Sequence, residues 1–126
     1  MRIHNTHERE IDGSVDEVRE LLDIVELWPT ELAPAPRAED GSLRVGPMLW
    51  EQSERDGALL AYRVVAPAQL DAEHWFEATA YRGGTTVRHT VDGEAGGDAE
   101  AVWQRIEPLH DRIMEAIFDR MELELS

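Results

Sequence analysis

The sequence predicts an α+β domain in which an antiparallel sheet is covered by one long C-terminal helix. Three observations carry this prediction. Four β-like runs follow one another between residues 43 and 92, separated by only a few turn-forming residues. Joints that short force antiparallel neighbours, because a parallel return needs about a dozen residues or more. After Gly96-Gly97 the apolar spacing changes from two to three and four and stays there. A capping motif at Ser14 marks a short helix between the first extended segment and the sheet.

The chain has 126 residues, within the roughly 100–200 of a single domain, so residues 1–126 are read as one unit. Area scaling gives about 6,800 Å² folded against about 20,700 Å² extended, enough burial for a core without staples. Twelve basic residues, all arginine, face 27 acidic ones, for a net charge of −15. Such a balance repels phosphate backbones and anionic lipid surfaces, which argues against nucleic-acid and membrane-surface partners. There is no cysteine, hence no disulfide framework, thiol nucleophile or thiolate metal site. The absence of lysine removes Schiff-base chemistry. The N-terminal residues Met-Arg-Ile-His-Asn lack the apolar stretch of a signal peptide, and no 18-residue apolar run occurs. A cytoplasmic protein without membrane insertion is expected.

Residues 2–11 form the first extended segment, with Ile3 and Ile11 on one face. Asp12-Gly13 turns the chain, and Ser14 (N-cap) with Glu17 (N3) forms a capping box. The helix places Val15, Val18, Leu21 and Leu22 on one stripe, and Trp28-Pro29 ends this region. Residues 31–42 are a loop rich in proline, alanine and charge. The four strands are Leu43–Glu54, Ala58–Ala66, Leu70–Tyr81 and Thr85–Asp92. In the third, Leu70, Ala72, His74, Phe76, Ala78 and Ala80 share the face without formal charge, so they point inward. Trp75, between Glu73 and Glu77, then points outward, where it could meet a partner. By the same test Leu60, Tyr62 and Val64 point inward from the second strand, and Val87, His89 and Val91 from the fourth.

Asp98 is a good N-cap for the final helix. Val102, Ile106, Leu109, Ile113 and Ile117 form its stripe, widened by Trp103, Met114, Phe118 and Met121. Pro108 removes one backbone hydrogen bond and is expected to kink the helix or split off its first turn.

This order, with Glu10-Ile11-Asp12-Gly13-Ser14-Val15-Asp16-Glu17-Val18, Leu27-Trp28-Pro29, Arg63-Val64-Val65, Gly83-Gly84-Thr85-Thr86-Val87 and the terminal helix, resembles the SRPBCC (START-like, Bet v 1-like) superfamily. Within it the polyketide cyclase/dehydrase and lipid-transport branch is the most similar. The resemblance implies a helix-grip fold: a curved antiparallel sheet wrapped around the C-terminal helix, with one or two short helices after the first strand. It also implies an apolar cavity between sheet and helix that takes a lipid-, polyketide- or aromatic-like molecule. The stretch between Trp28 and Leu43 departs from that pattern, being short enough to curtail or drop a strand usual there. No catalytic signature of the family can be carried onto these residues.

Of the chemical candidates, serine fares worst, since none of Ser14, Ser42, Ser53 and Ser126 lies in a nucleophile elbow. Glu107-x-x-His110 has the spacing of a di-iron ligand pair but occurs once, and His4-x-x-His7 in a strand puts its rings on opposite faces. Both His4 and His7 are read as solvated, and neither a metal nor a cofactor is expected. The acidic C-terminal helix reads as a solvated face.

The expected cavity lining is Trp28, Trp50, Tyr62, His74, Phe76, His89, His110 and Met114. There the histidines and Tyr62 would supply the polar end that orients an apolar ligand. Binding of a small hydrophobic molecule is the first functional expectation. Two alternatives stay open: a polyketide cyclase/dehydratase-type enzyme using His74 or His89 as acid/base, and an interaction or dimerisation module with a closed core. The chain is expected to be a monomer or homodimer.

Overall fold

The computed structural model describes residues 1–22, 42–45 and 48–125, with residues 43–45 described by their backbone alone. Its elements are β1 (Arg2–Ile11), α1 (Val15–Leu22), β2 (Leu43–Val45), β3 (Met48–Ser53), β4 (Leu60–Ala66), β5 (Leu70–Tyr81), β6 (Gly84–Ala95) and α2 (Ala99–Leu125). The capping box forms as its sequence requires. Ser14 N–H donates to Glu17 Oε1 at 3.0 Å, and Glu17 N–H donates to Ser14 Oγ at 3.1 Å. Val18 and Leu22 are the buried side of α1.

The strands form one sheet in the order β1-β6-β5-β4-β3-β2, with every neighbour antiparallel. β6 is central to the larger half, with β1 on one side and β5 on the other. The β5–β6 connection is a two-residue hairpin. Tyr81 pairs with Gly84, and Arg82 and Gly83 both take positive φ, 50° and 85°, as a turn matched to strand twist demands. Ile3 and Ile11 are fully buried from opposite ends of β1. They join Leu60, Phe76, Val87 and Val91 of the sheet and Ile113, Ile117 and Phe118 of α2 in one apolar core.

Three strand bounds need correction. Leu43–Glu54 is two strands, because Val45 pairs back onto Met48 in the β2–β3 ladder. The dipeptide between them, Gly46-Pro47, has turn-forming composition that the surrounding apolar run obscured. At its start the Ala58–Ala66 strand is shorter, beginning at Leu60. The last strand runs three residues past Asp92 to Ala95. Gly93 does not break it: a Cβ there would lie 2.1 Å from Asp71 O and 2.5 Å from Ala72 Cα, so glycine permits the close approach of β5.

Pro108 sits inside α2 without dividing it. Pro108 and Gln104 both lie on the exposed side, so the carbonyl deprived of its donor faces the solvent. Trp75 points to the outer face but is only 7% exposed. The Arg55 guanidinium covers its ring at 3.6 Å, and its indole N–H donates to Glu77. On the opposite face of the same strand Ala80, expected inward, is exposed, because β5 runs beyond the core there. Trp28, and whatever follows α1 up to residue 41, lies outside the described residues.

Candidate functional site

Alternation in β4, β5 and β6 sends Tyr62, His74, Phe76 and His89 to the face covered by α2, where His110 meets them. The register places Tyr62 opposite His74 and Phe76 opposite His89. His74 Nδ1 and His89 Nε2 are then 3.2 Å apart across the β5–β6 pair. Aromatic contacts extend this pair both ways. Towards β3 and β4, the His74 ring stacks on Tyr62 at 5.3 Å and lies 3.9 Å from Trp50. Towards α2, His89 lies 5.1 Å from His110, with Phe76 at 4.6 Å alongside. His110 continues to Trp103 at 6.0 Å and to His7 of β1 at 5.9 Å. A line of four imidazoles thus crosses the sheet–helix interface from His74 to His7.

Burial governs the charge state of the inner three. Desolvation, reinforced by repulsion from His110, holds His74 down to about 3. His89 is pushed well below the usual histidine value, first by burial and then by its histidine neighbours. His110 is lowered to about 4 by burial and by His7, only partly offset by Asp111. At neutral pH these rings are uncharged. In the His74–His89 contact one nitrogen therefore donates and the other accepts. Among the described residues His74 Nε2, His89 Nδ1 and both nitrogens of His110 have no hydrogen-bond partner.

The outer end of the line is polar. Asn5, His7 and Arg9 share a face of β1 with Ile3 and Ile11, and every rung meets acidic residues of α2. Asn5 Nδ2 donates to Glu107 Oε2 at 3.0 Å and Asp111 Oδ1 at 2.9 Å. His7 places Nε2 2.8 Å from Asp111 Oδ1 and Nδ1 3.0 Å from Glu115 Oε1. Arg9 joins Glu115 and reaches Asp119 at 2.6 Å and Glu122 at 3.5 Å. Burial works against ionisation of Asp111, but hydrogen bonds from Asn5 and His7 outweigh it and lower its pKa. The acids of α2 remain a solvated face, with Asp111 43%, Glu115 53% and Asp119 72% exposed, but residues 107, 111, 115 and 119, spaced by four, also line up against β1. His4 is exposed as expected, whereas His7 is largely buried in this seam.

Seven of the eight expected lining residues are described, and all seven are buried. Trp50, Tyr62, His74, Phe76, His89 and His110 form one contiguous cluster. Met114, one turn beyond His110, belongs to the same core. His7 and Trp103 were not among the eight. The even spacing that put Ile3 and Ile11 inward applies equally to His7, and Trp103 precedes His110 by two helical turns. A surface depression of about 510 Å³ bounded by Ile11, Tyr81, Thr85 and Glu122 contains none of the eight.

No protein-family model matches the sequence, and no curated protein matches it. Solved structures do match in fold. The Zhui aromatase/cyclase from Streptomyces sp. R1128 is 16% identical with a TM-score of 0.69, covering 99% of this chain and 94% of its own. Ara h 8.0201 is 16% identical with a TM-score of 0.64, covering 96% and 98%. A START superfamily protein from Mycobacterium smegmatis is 12% identical with a TM-score of 0.59, covering 97% and 96%. The chain thus shares the helix-grip fold of these structures, a curved antiparallel sheet against a long C-terminal helix. Among the described residues no helix is long and apolar enough to cross a membrane.

Proposed function

We propose that the chain binds a small hydrophobic molecule of lipid-, polyketide- or aromatic-like character between the sheet and α2. In this reading Trp50, Phe76 and Met114 contact the apolar body, and Tyr62, His74, His89 and His110 meet a polar end. The observation that carries it is the set of buried imidazole nitrogens without a partner among the described residues. Each unsatisfied buried polar group costs about 1–3 kcal/mol, so several together in one core call for a complement from outside the chain. The fold supports this reading, since helix and sheet meet where the cluster lies. Native mass spectrometry of freshly purified protein, repeated after organic extraction, tests it. The expected result is an adduct that leaves on extraction. A bare chain that also fails to take up anilinonaphthalene sulfonate would overturn it.

A second reading, cyclase/dehydratase-type catalysis with His74 or His89 as acid/base and Tyr62 as donor, draws on the His74–His89 contact. The strongly lowered basicity of both rings tells against it, because a general base works best near the operating pH. The neutral pair is better suited to fixing a ligand's polar group than to moving protons.

A further inference from the structure

The seam between β1 and α2 brings His110, at the outer end of the buried cluster, against polar donors that the proposed ligand does not touch. His110 is 3% exposed, and its Nδ1 faces Asp111 Oδ1 at 3.7 Å, beyond hydrogen-bond reach. The same Oδ1 lies 2.8 Å from His7 Nε2. One ligand atom from each of His7, His110 and Asp111 falls within 4.8 Å of the others. We propose that these three residues bind a zinc-class divalent cation, with a fourth position open to solvent.

Three features beyond proximity support the site. The first is the donor set: two imidazoles and one carboxylate suit zinc and its neighbours, whereas calcium and magnesium select oxygen. The second is the support behind the donors. Glu115 Oε1 lies 3.0 Å from His7 Nδ1, a carboxylate–histidine arrangement that directs Nε2 to the metal. Asn5 Nδ2, 2.9 Å from Asp111 Oδ1 and 3.0 Å from Glu107, holds the carboxylate from the other side. The third is His110 itself, a buried ring with no hydrogen-bond partner among the described residues, its Nδ1 3.7 Å from Asp111 Oδ1 and its ring 5.9 Å from that of His7.

Two of the three donor separations lie close to those of a bound ion, and the His7–His110 separation is within 4.8 Å. Tetrahedral bonds of about 2.0–2.2 Å place donor atoms about 3.4 Å apart. The His7–Asp111 separation must open from 2.8 Å and the His110–Asp111 separation must close from 3.7 Å, each by a fraction of an ångström. His7 is 15% exposed and Asp111 43%, so one side of the cluster meets water, which supplies the fourth ligand. The site shares His110 with the proposed ligand site, goes beyond it through His7 and Asp111, and does not rest on it.

Calorimetric titration of the metal-stripped full chain with zinc chloride tests the proposal, with cobalt(II) as a spectroscopic substitute. The expected result is one equivalent bound with Kd near or below about 10 μM. Cobalt should give the intense visible bands of a low-coordinate nitrogen-ligated ion. His7→Gln and Asp111→Asn should each weaken binding at least about tenfold, and Glu115→Gln about tenfold. These positions are partly exposed, so the test does not depend on the buried His110 tolerating change. His4→Gln, in which the altered ring lies 3.5 Å from Asp92 on the other face, should leave binding unchanged. Absence of saturable micromolar binding, a cobalt spectrum of the aqua ion, or equal loss in His4→Gln would overturn the proposal.

Discussion

His74 and His89 face each other across the β5–β6 ladder with Nδ1 and Nε2 3.2 Å apart, both shut off from solvent. Two imidazolium rings could not share that contact, since neither would have a lone pair to accept. The arrangement therefore requires at least one uncharged ring, and burial keeps both uncharged.

This fixes the sign of a pH dependence. The folded-state value of His74 lies at about 3, below the unfolded value of about 6.5, so the unfolded chain binds more protons between them. Its contribution to stability is fully present above pH ~6.5 and is lost as pH falls towards ~3, at about 1.4 kcal/mol per pH unit. His89 acts in the same direction. Urea unfolding at successive pH values, with a chelator present, should show this slope, and His74→Gln should reduce it by one proton. A stability independent of pH over that window would rule out buried neutral histidines.

Ligand affinity should respond to the inner face of β5 and ignore the outer one. Phe76→Ala is expected to weaken binding of anilinonaphthalene sulfonate by about tenfold, the scale of losing a buried aromatic contact. Thr79→Ala, on an exposed position of the same strand, should change it less than about twofold. Equal effects in a fluorescence titration would sink the assignment of the inner face.

Gly93→Ala should be costly, because the new Cβ would meet backbone atoms of Asp71 and Ala72 that cannot move without opening the β5–β6 ladder. A loss of about 2–4 kcal/mol is expected, in the range of severe overpacking. Gly96→Ala, where the Cβ meets open space, should stay within about 1 kcal/mol. Chemical denaturation of the two variants side by side provides the comparison.

Arg9→Ala should destabilise the fold by about 1–2 kcal/mol. The guanidinium joins Glu115, Asp119 and Glu122 and also lies 5.4 Å from the centre of the Phe118 ring. Without it, carboxylates of like charge face one another along α2. The difference from the native protein should shrink as salt rises, since screening relieves that repulsion. A salt-independent loss would instead assign the effect to packing against Phe118.

The sheet and the long helix were legible in the sequence because their signals repeat. Even spacing from Leu70 to Phe76 and threefold and fourfold spacing from Val102 to Ile117 each recur often enough to outweigh local noise. Single residues that act through a neighbour were harder to read. Trp75 looks outward by parity and is outward, yet its burial comes from Arg55, which reaches it from the β3–β4 connection. Gly93 looks like a strand end until β5 is seen to need its missing side chain. His74 and His89 were placed on the inner face by periodicity and His110 at the edge of the helix's apolar stripe, but the 3.2 Å contact depends on register and was not legible. His7 was misread because its neighbours Asn5 and Arg9 are polar. Parity already put all three inward, and their partners lay about a hundred residues away in the acids of α2.

The seam between β1 and α2 also behaves as a vernier. Alternate residues of a strand advance about 6.8 Å, whereas every fourth residue of a helix advances about 6.0 Å. The two scales drift by about 0.8 Å per rung, so they coincide over only a few rungs. The side chains lengthen in the direction of the drift, from Asn5 through His7 to Arg9. The shortest reaches Glu107 and Asp111, and the longest spans from Glu115 to Glu122. Asparagine in place of Arg9 would be too short to reach Glu115, Asp119 and Glu122 together. The order of these three residues along β1 thus sets how far strand and helix can stay in step.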